Sequence, residues 1–249
     1  LKKRAQILNS NTAAMTFNRV ADARIDAANP RTRDRAIPRG LVSVPVAAGV
    51  TLVMCALFFL SAALLNRLCL LLAPVALVVL LGYSYTKRFT PLCHFALGLS
   101  LGMAPVGAWL AVAPHWHPLP IFLGTGVLFW IAGADILYAC EDVDFDRSAG
   151  VRSIPASLGI PRSLILARLC HVATIGALAA AGLAAKLGPV YFGGVAVVAL
   201  LLVYEHAIVN ASDLSRVNRA FFHVNAVISV AMFAVCLGDL WQRGLISAR

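Results

Sequence analysis

Apolar residues in this chain are gathered into blocks of about 20 residues, separated by short polar segments. A helix needs roughly 20 apolar residues to cross about 30 Å of hydrocarbon, and it satisfies its backbone hydrogen bonds internally. The blocks therefore predict seven transmembrane helices, preceded by a partial span over residues 5–24. The seven spans are predicted at residues 41–65, 68–86, 95–113, 119–140, 163–185, 189–210 and 220–241.

Composition supports this interpretation. Of the 249 residues, 60% are hydrophobic and 13% are charged, whereas a soluble domain has about 45–50% apolar and about 25% charged residues. The mean hydropathy is +0.83. We expect residues 1–249 to form a single all-α, polytopic transmembrane domain.

The net charge of +10 is distributed unevenly between the two sides of the predicted bundle. Loops 27–40, 87–94, 141–162 and 211–219 share one side and hold eleven Lys and Arg residues, whereas the other side holds four. Basic loops stay in the cytoplasm, so the first side is predicted to be cytoplasmic. This bias explains the basicity without a nucleic-acid partner, and no obligate protein partner is indicated. We expect a multi-pass protein of the cell membrane.

The first acidic motif lies at the end of the partial span. Asn18, Asp22 and Asp26 are spaced four residues apart, which stacks their side chains on one face of a helix. Carboxylates so placed repel each other unless a cation lies between them, and Mg²⁺ prefers oxygen ligands of this kind. A solvated helix end is the alternative interpretation.

A second acidic motif follows the fourth predicted span. Asp142 and Asp146 repeat the four-residue spacing, Asp144 points to the opposite face, and Asp135 lies inside the apolar span. An acidic residue at that depth normally faces a cavity or a partner. An acidic loop that caps a helix remains the plainer alternative. Glu205, also within a span, receives no assigned role.

Both motifs lie at the cytoplasmic ends of spans and together hold seven of the eleven acidic residues. Two carboxylate sets facing one cavity could hold Mg²⁺ ions that bind a diphosphate. Basic side chains on the same side could stabilise the leaving group. They are Arg31, Arg35, Lys87, Arg88 and Arg152. An ion-coupled transporter also uses intramembrane acids, although acids gathered at one face favour an enzyme.

Three motifs in this order resemble the UbiA superfamily of intramembrane prenyltransferases, most closely its 4-hydroxybenzoate-prenylating and menaquinone-pathway branches. The motifs are Asn18-x3-Asp22-x3-Asp26 with Asn29-Pro30-Arg31-Thr32, then Tyr83-Ser84-Tyr85-Thr86-Lys87-Arg88, and Asp142-x3-Asp146 followed by Gly150-Val151-Arg152-Ser153. The resemblance implies a helical bundle around a central cavity. The family has nine helices, so we expect its first helix to be missing from this chain.

The resemblance also implies substrates and roles. It implies Mg²⁺-dependent transfer of a prenyl chain from a polyprenyl diphosphate to an aromatic acid, with 4-hydroxybenzoate expected and a naphthoate or another acceptor as alternatives. Asp22, Asp26, Asp142 and Asp146 would bind metal, and Asn18, Arg35, Lys87, Arg152 and Tyr138 would bind the diphosphate. Asp135, Asp144 and Tyr83 would be catalytic. Tyr83, Tyr138 and Trp130 could face an allylic carbocation, with the prenyl tail leaving sideways into the bilayer.

Overall fold

The computed structural model of the chain describes residues 2–244, with side chains described for residues 12–218 and 221–244. Within that range every regular element is helical. The α-helices are α1 (Lys2–Ala21), α2 (Ala23–Ala28), α3 (Val44–Ala63), α4 (Arg67–Thr86), α5 (Cys93–Leu110), α6 (Pro118–Ala139), α7 (Val143–Ala149), α8 (Ile154–Leu158), α9 (Ile160–Ala184), α10 (Pro189–Ile208), α11 (Val217–Arg219) and α12 (Asn225–Gln242). A 3₁₀ turn, Cys140–Asp142, precedes α7, and a π-helical turn, Ala220–Val224, precedes α12.

The prediction of an all-α polytopic membrane protein is confirmed. Within residues 2–244, seven helical stretches are long and apolar enough to cross a bilayer. They correspond to α3, α4, α5, α6 with its extension through α7, α9, α10, and the stretch that ends with α12. Helix α1 occupies the predicted partial span but is not among the seven, and it packs against α3 and α4.

Side-chain caps fix several helix ends. The Asn66 side chain accepts a hydrogen bond from the backbone N–H of Cys69 at 2.9 Å, which begins α4. Its amide nitrogen donates to the carbonyl of Leu110 at 2.8 Å, at the end of α5. His117 caps α6 in a similar way, with Pro118 at its first position. These caps satisfy backbone groups that a helix end leaves free.

The outside of the bundle is apolar, unlike the surface of a soluble protein. Large apolar side chains such as Leu52, Val78 and Leu200 are about 70% exposed on the outside. Asp22, Asp26 and His94 are buried polar residues at one end of the bundle. A lipid surround explains the apolar exterior, because lipid tails solvate such side chains and water does not.

Glycines bring α5 and α6 into close contact. A Cβ atom on Gly98 would overlap the carbonyl oxygen of Leu128, and one on Gly102 would lie 2.6 Å from that of Gly124. Small residues four apart let two membrane helices approach this closely. Helix α5 carries His94 and α6 carries Asp135, so the contact also positions two polar side chains.

Gly98→Ala is expected to destabilise the protein by about 1–3 kcal/mol, because the added methyl group meets backbone rather than a movable side chain. Thermal unfolding in detergent would measure this. Gly107→Ala on the same helix is the matched control, since a Cβ there meets nothing within 4 Å. Equal effects of the two substitutions would contradict close α5–α6 packing.

Candidate functional site

A polar cavity of about 280 Å³ lies at the end of the bundle where α1, α2, α4, α5, α6 and α7 meet. Nine of the twelve site residues predicted from the sequence line it, so motifs far apart in the chain converge. They are Asn18, Asp26, Arg35, Tyr83, Lys87, Asp135, Tyr138, Asp142 and Asp146.

The first acidic motif lies across a kink between α1 and α2. Asp22 occupies the kink with φ −95° and ψ 3°, a sparsely populated backbone region where active-site residues often lie. The backbone hydrogen bonds continue through it, from Asp22 to Asn18 at 2.9 Å and from Asp26 to Asp22 at 2.8 Å. The three side chains therefore keep the helical stacking that the spacing predicted. The Asn18 amide also donates to Asp22 Oδ2 at 2.9 Å.

The second acidic motif has the same backbone geometry as the first. Asp142 is the last residue of the 3₁₀ turn and the N-cap residue of α7, with φ −104° and ψ 7°. Four residues later, buried Asp146 accepts a hydrogen bond from the Ser153 hydroxyl at 2.7 Å. Each motif thus places one aspartate at a kink and a second one turn later in a short helix.

Basic side chains face three of the four carboxylates. Lys87 Nζ lies 2.6 Å from Asp22 Oδ2, and Arg35 Nη1 lies 2.7 Å from Asp26 Oδ1. Arg31 forms an ion pair with Asp142. These pairs supply the charge compensation that buried carboxylates require.

Arg31 also closes one side of the cavity. Its guanidinium lies 4.3 Å from the centroid of the Tyr138 ring, and Asn29 donates to the same Asp142 carboxylate at 3.1 Å. Burial alone would lower the pKa of Arg31, but its hydrogen bonds and charge interaction with Asp142 outweigh burial and raise that pKa. Arg31 is therefore a permanent cation at this position.

The carboxylates retain free capacity for a metal ion. Asp22 Oδ1 and Asp26 Oδ2 are buried and accept no hydrogen bond from any described residue, although Arg19 Nη1 lies 3.8 Å from Asp26 Oδ2. Among the described residues no group of three His, Cys, Asp or Glu side chains is close enough to enclose a metal alone. Mg²⁺ typically takes one or two carboxylates and completes its shell with water and substrate phosphate. The donor set fits an ion held jointly by protein and phosphate.

Three predicted residues lie off the cavity wall. Asp22 lies behind it, 2% exposed, and reaches it through Lys87. Asp144 is exposed, two residues from Asp142 and so on the far face of α7, as its spacing indicated. Arg152 turns away from the cavity, and its guanidinium donates to the carbonyl of Phe89 at 2.8 Å.

Trp130, expected at the carbocation wall, packs elsewhere as well. Its indole N–H donates to Asn225 Oδ1 at 2.6 Å, within an apolar cluster formed with α10 and α12. The fully buried Glu205 lies outside the cavity too, with a carboxylate oxygen 3.8 Å from His171 Nδ1.

His94 is a cavity residue that the sequence did not reveal. Its Nδ1 lies 2.7 Å from Asp135 Oδ2, and the backbone N–H of Ile154 donates to its Nε2 at 3.3 Å. A ring nitrogen that accepts a hydrogen bond carries no proton, so Nδ1 carries the proton and donates to Asp135. The sequence offered one signal for this pair: His94 and Asp135 lie at the predicted cytoplasmic ends of two spans.

Comparison with known proteins identifies the fold and the family. The model of the UbiA prenyltransferase family matches residues 7–227. The chain is 30% identical to a 4-hydroxybenzoate octaprenyltransferase of Aromatoleum aromaticum, over 91% of this chain and 76% of that protein. It is 31% identical to a protein of the same name from Nitrosospira multiformis, over 92% and 79% of the two chains.

Solved structures agree. The apo structure of a UbiA homolog from Aeropyrum pernix K1 superposes with a TM-score of 0.88 at 32% identity, covering 96% of this chain and 88% of that one. A UbiA homolog from Archaeoglobus fulgidus bound to GPP and Mg²⁺ shares the fold, with a TM-score of 0.64 at 19% identity and coverages of 94% and 86%.

These matches exclude the transporter alternative. The chain belongs to the UbiA prenyltransferase family and is an aromatic prenyltransferase.

Proposed function

We propose that the protein catalyses Mg²⁺-dependent transfer of a prenyl chain from a polyprenyl diphosphate to 4-hydroxybenzoate, a reaction of quinone biosynthesis. One observation carries the proposal: two aspartate motifs, 120 positions apart in the chain, face a single cavity together with Lys87 and Arg35. The names of the relatives at about 30% identity support the acceptor. The GPP and Mg²⁺ bound to the Archaeoglobus fulgidus homolog support the donor and the metal.

The metal ligands in this proposal are Asp22, Asp26, Asp142 and Asp146, with Asn18 orienting the first of them. Mg²⁺ bound there would neutralise negative charge on the diphosphate leaving group. The buried carboxylate oxygens of Asp22 and Asp26 that accept no hydrogen bond from the described residues support this assignment. Arg31, which pairs with Asp142 in the structure, would be free to bind a phosphate if a metal ion were held by that carboxylate.

Lys87 and Arg35 are assigned to the diphosphate. Both line the cavity beside the first aspartate motif, where a positive charge stabilises the departing oxygens. Arg152 receives a structural role instead, because its backbone N–H donates to the carbonyl of Lys87 at 2.7 Å. It thereby holds the loop after α4 against the loop after α7.

The acceptor is assigned to the Asp135 side of the cavity. Asp135 would orient the phenol or remove the ring proton after the new carbon–carbon bond forms, and that proton would move to its carboxylate. Tyr83 and Tyr138 present aromatic rings in the same cavity, where they can stabilise a cationic prenyl group by about 0.5–2 kcal/mol each. His94 acts as a positioning residue by donating to Asp135. Asp144 is left out of this set because it lies off the cavity.

The proposal also includes the path of the prenyl chain and the side of the membrane that the site faces. The prenyl chain would pass between helices into lipid, which explains an apolar exterior around a polar site. The loops that border the cavity are the basic ones, so the site is proposed to face the cytoplasm from the cell membrane.

Purified protein in detergent with Mg²⁺, geranyl diphosphate and 4-hydroxybenzoate is expected to form the prenylated acid and release diphosphate. Mass spectrometry of the product is the measurement. A hydroxynaphthoate serves as the competing acceptor. Product from the naphthoate alone would overturn the acceptor, and no prenyl transfer to either compound would overturn the proposed reaction.

His94→Ala is expected to lower kcat by about 100-fold, because a displaced Asp135 no longer meets the acceptor correctly. The KM for geranyl diphosphate should change little. His94→Asn, whose amide can donate from near the Nδ1 position, should recover part of the loss.

A double-substitution cycle separates positioning from general destabilisation. If His94 acts through Asp135, His94→Ala adds little to the defect of Asp135→Ala. Fully additive losses in kcat would contradict the positioning role.

A further inference from the structure

A second cavity, the basic groove, lies against the outer side of the first. Its volume is about 640 Å³. The two cavities share Lys87, Ile25 and Val151 in their walls. The basic groove is formed by the end of α1, the start of α2, the start of α3 and the residues that follow α4 and α7, and its lining includes Arg24, Val44, Lys87 and Arg88.

The electrostatics of the basic groove differ from those of the first cavity. In the first cavity the bases Arg31, Arg35 and Lys87 each pair with a carboxylate. Arg24 and Arg88 in the groove have no acidic partner among the described residues, and neither Asp nor Glu contributes to the described lining. A concave surface with unpaired cations concentrates anions.

The two arginines are held differently. Arg88 is fixed, because its guanidinium donates to the carbonyl of Ala21 at 2.5 Å and lies 4.8 Å from the centroid of the Tyr85 ring. These contacts leave other N–H groups of Arg88 available. Arg24 is exposed and can turn toward a ligand. Two guanidinium groups that line the same groove suit an oxyanion with several acceptor oxygens.

The position of the groove limits which ligands can reach it. Val44 is the first residue of α3, which is the first of the apolar spans. The groove therefore opens at the end of a membrane-spanning helix, at the depth where lipid headgroups lie. Lys87 also lines the groove, and it lines the first cavity as well. We infer that the basic groove is a metal-independent binding site for phosphate groups, supplied either by an anionic phospholipid headgroup or by free diphosphate.

Arg24→Gln is the variant that tests the site, since Arg24 makes no described contact whose loss would unfold the protein. Two probes are measured with the full chain in detergent and excess EDTA. Inorganic diphosphate is titrated calorimetrically, and retention of phosphatidylglycerol against phosphatidylcholine is followed by native mass spectrometry. Arg33→Gln is the matched control, because it removes the same charge from an exposed arginine that lines neither cavity.

The expected result is metal-free binding of at least one probe, weakened about tenfold or more by Arg24→Gln and little by Arg33→Gln. A response of diphosphate alone identifies the free anion as the ligand, and a response of phosphatidylglycerol alone identifies the headgroup. Absence of both, or equal weakening by both substitutions, overturns the inference. Neither a metal ion nor a prenyl substrate is present, so failure here leaves the proposed transferase reaction untouched.

Discussion

The compensation of buried aspartate charge is the constraint on which the site depends. Asp22 and Asp26 are 2% and 4% exposed, within a bundle whose outer surface is apolar. Ionised carboxylates at such positions are costly unless cations face them. Lys87, Arg35 and Arg31 meet this need in the structure. In the proposed reaction, metal ions would replace these bases at the carboxylates when a diphosphate brings its own negative charge.

The two halves of the site use the same local geometry. Asp22 and Asp142 both lie at a kink between a long helix and a short one, and Asp26 and Asp146 both follow one turn later. The shared four-residue spacing of the two acidic motifs in the sequence therefore corresponds to a shared backbone geometry. It also places Asp26, Asp142 and Asp146 in the wall of one cavity, with Asp22 directly behind that wall.

The sequence was sufficient for the spans and the motifs, because both are local. A run of 20 apolar residues and a four-residue spacing are visible without any partner. Contacts between helices were not visible. The close approach of α5 and α6 at Gly98 brings His94 to Asp135, and the loop after Asn29 delivers Arg31 to Asp142. The placement of Trp130 toward Asn225 and of Arg152 toward Phe89 likewise depends on neighbours distant in the sequence.

The central claim is that metal and diphosphate bind jointly to the two aspartate motifs. Mn²⁺, used as a paramagnetic substitute for Mg²⁺, would be titrated by electron paramagnetic resonance with and without an unreactive thio analogue of geranyl diphosphate. We expect the analogue to tighten Mn²⁺ binding about tenfold or more. Asp26→Asn and Asp142→Asn should each abolish that gain in affinity. Asp34→Asn, at an exposed loop position, is the control and should preserve it. Mn²⁺ binding that ignores the analogue, or a gain that survives both motif substitutions, would contradict the account.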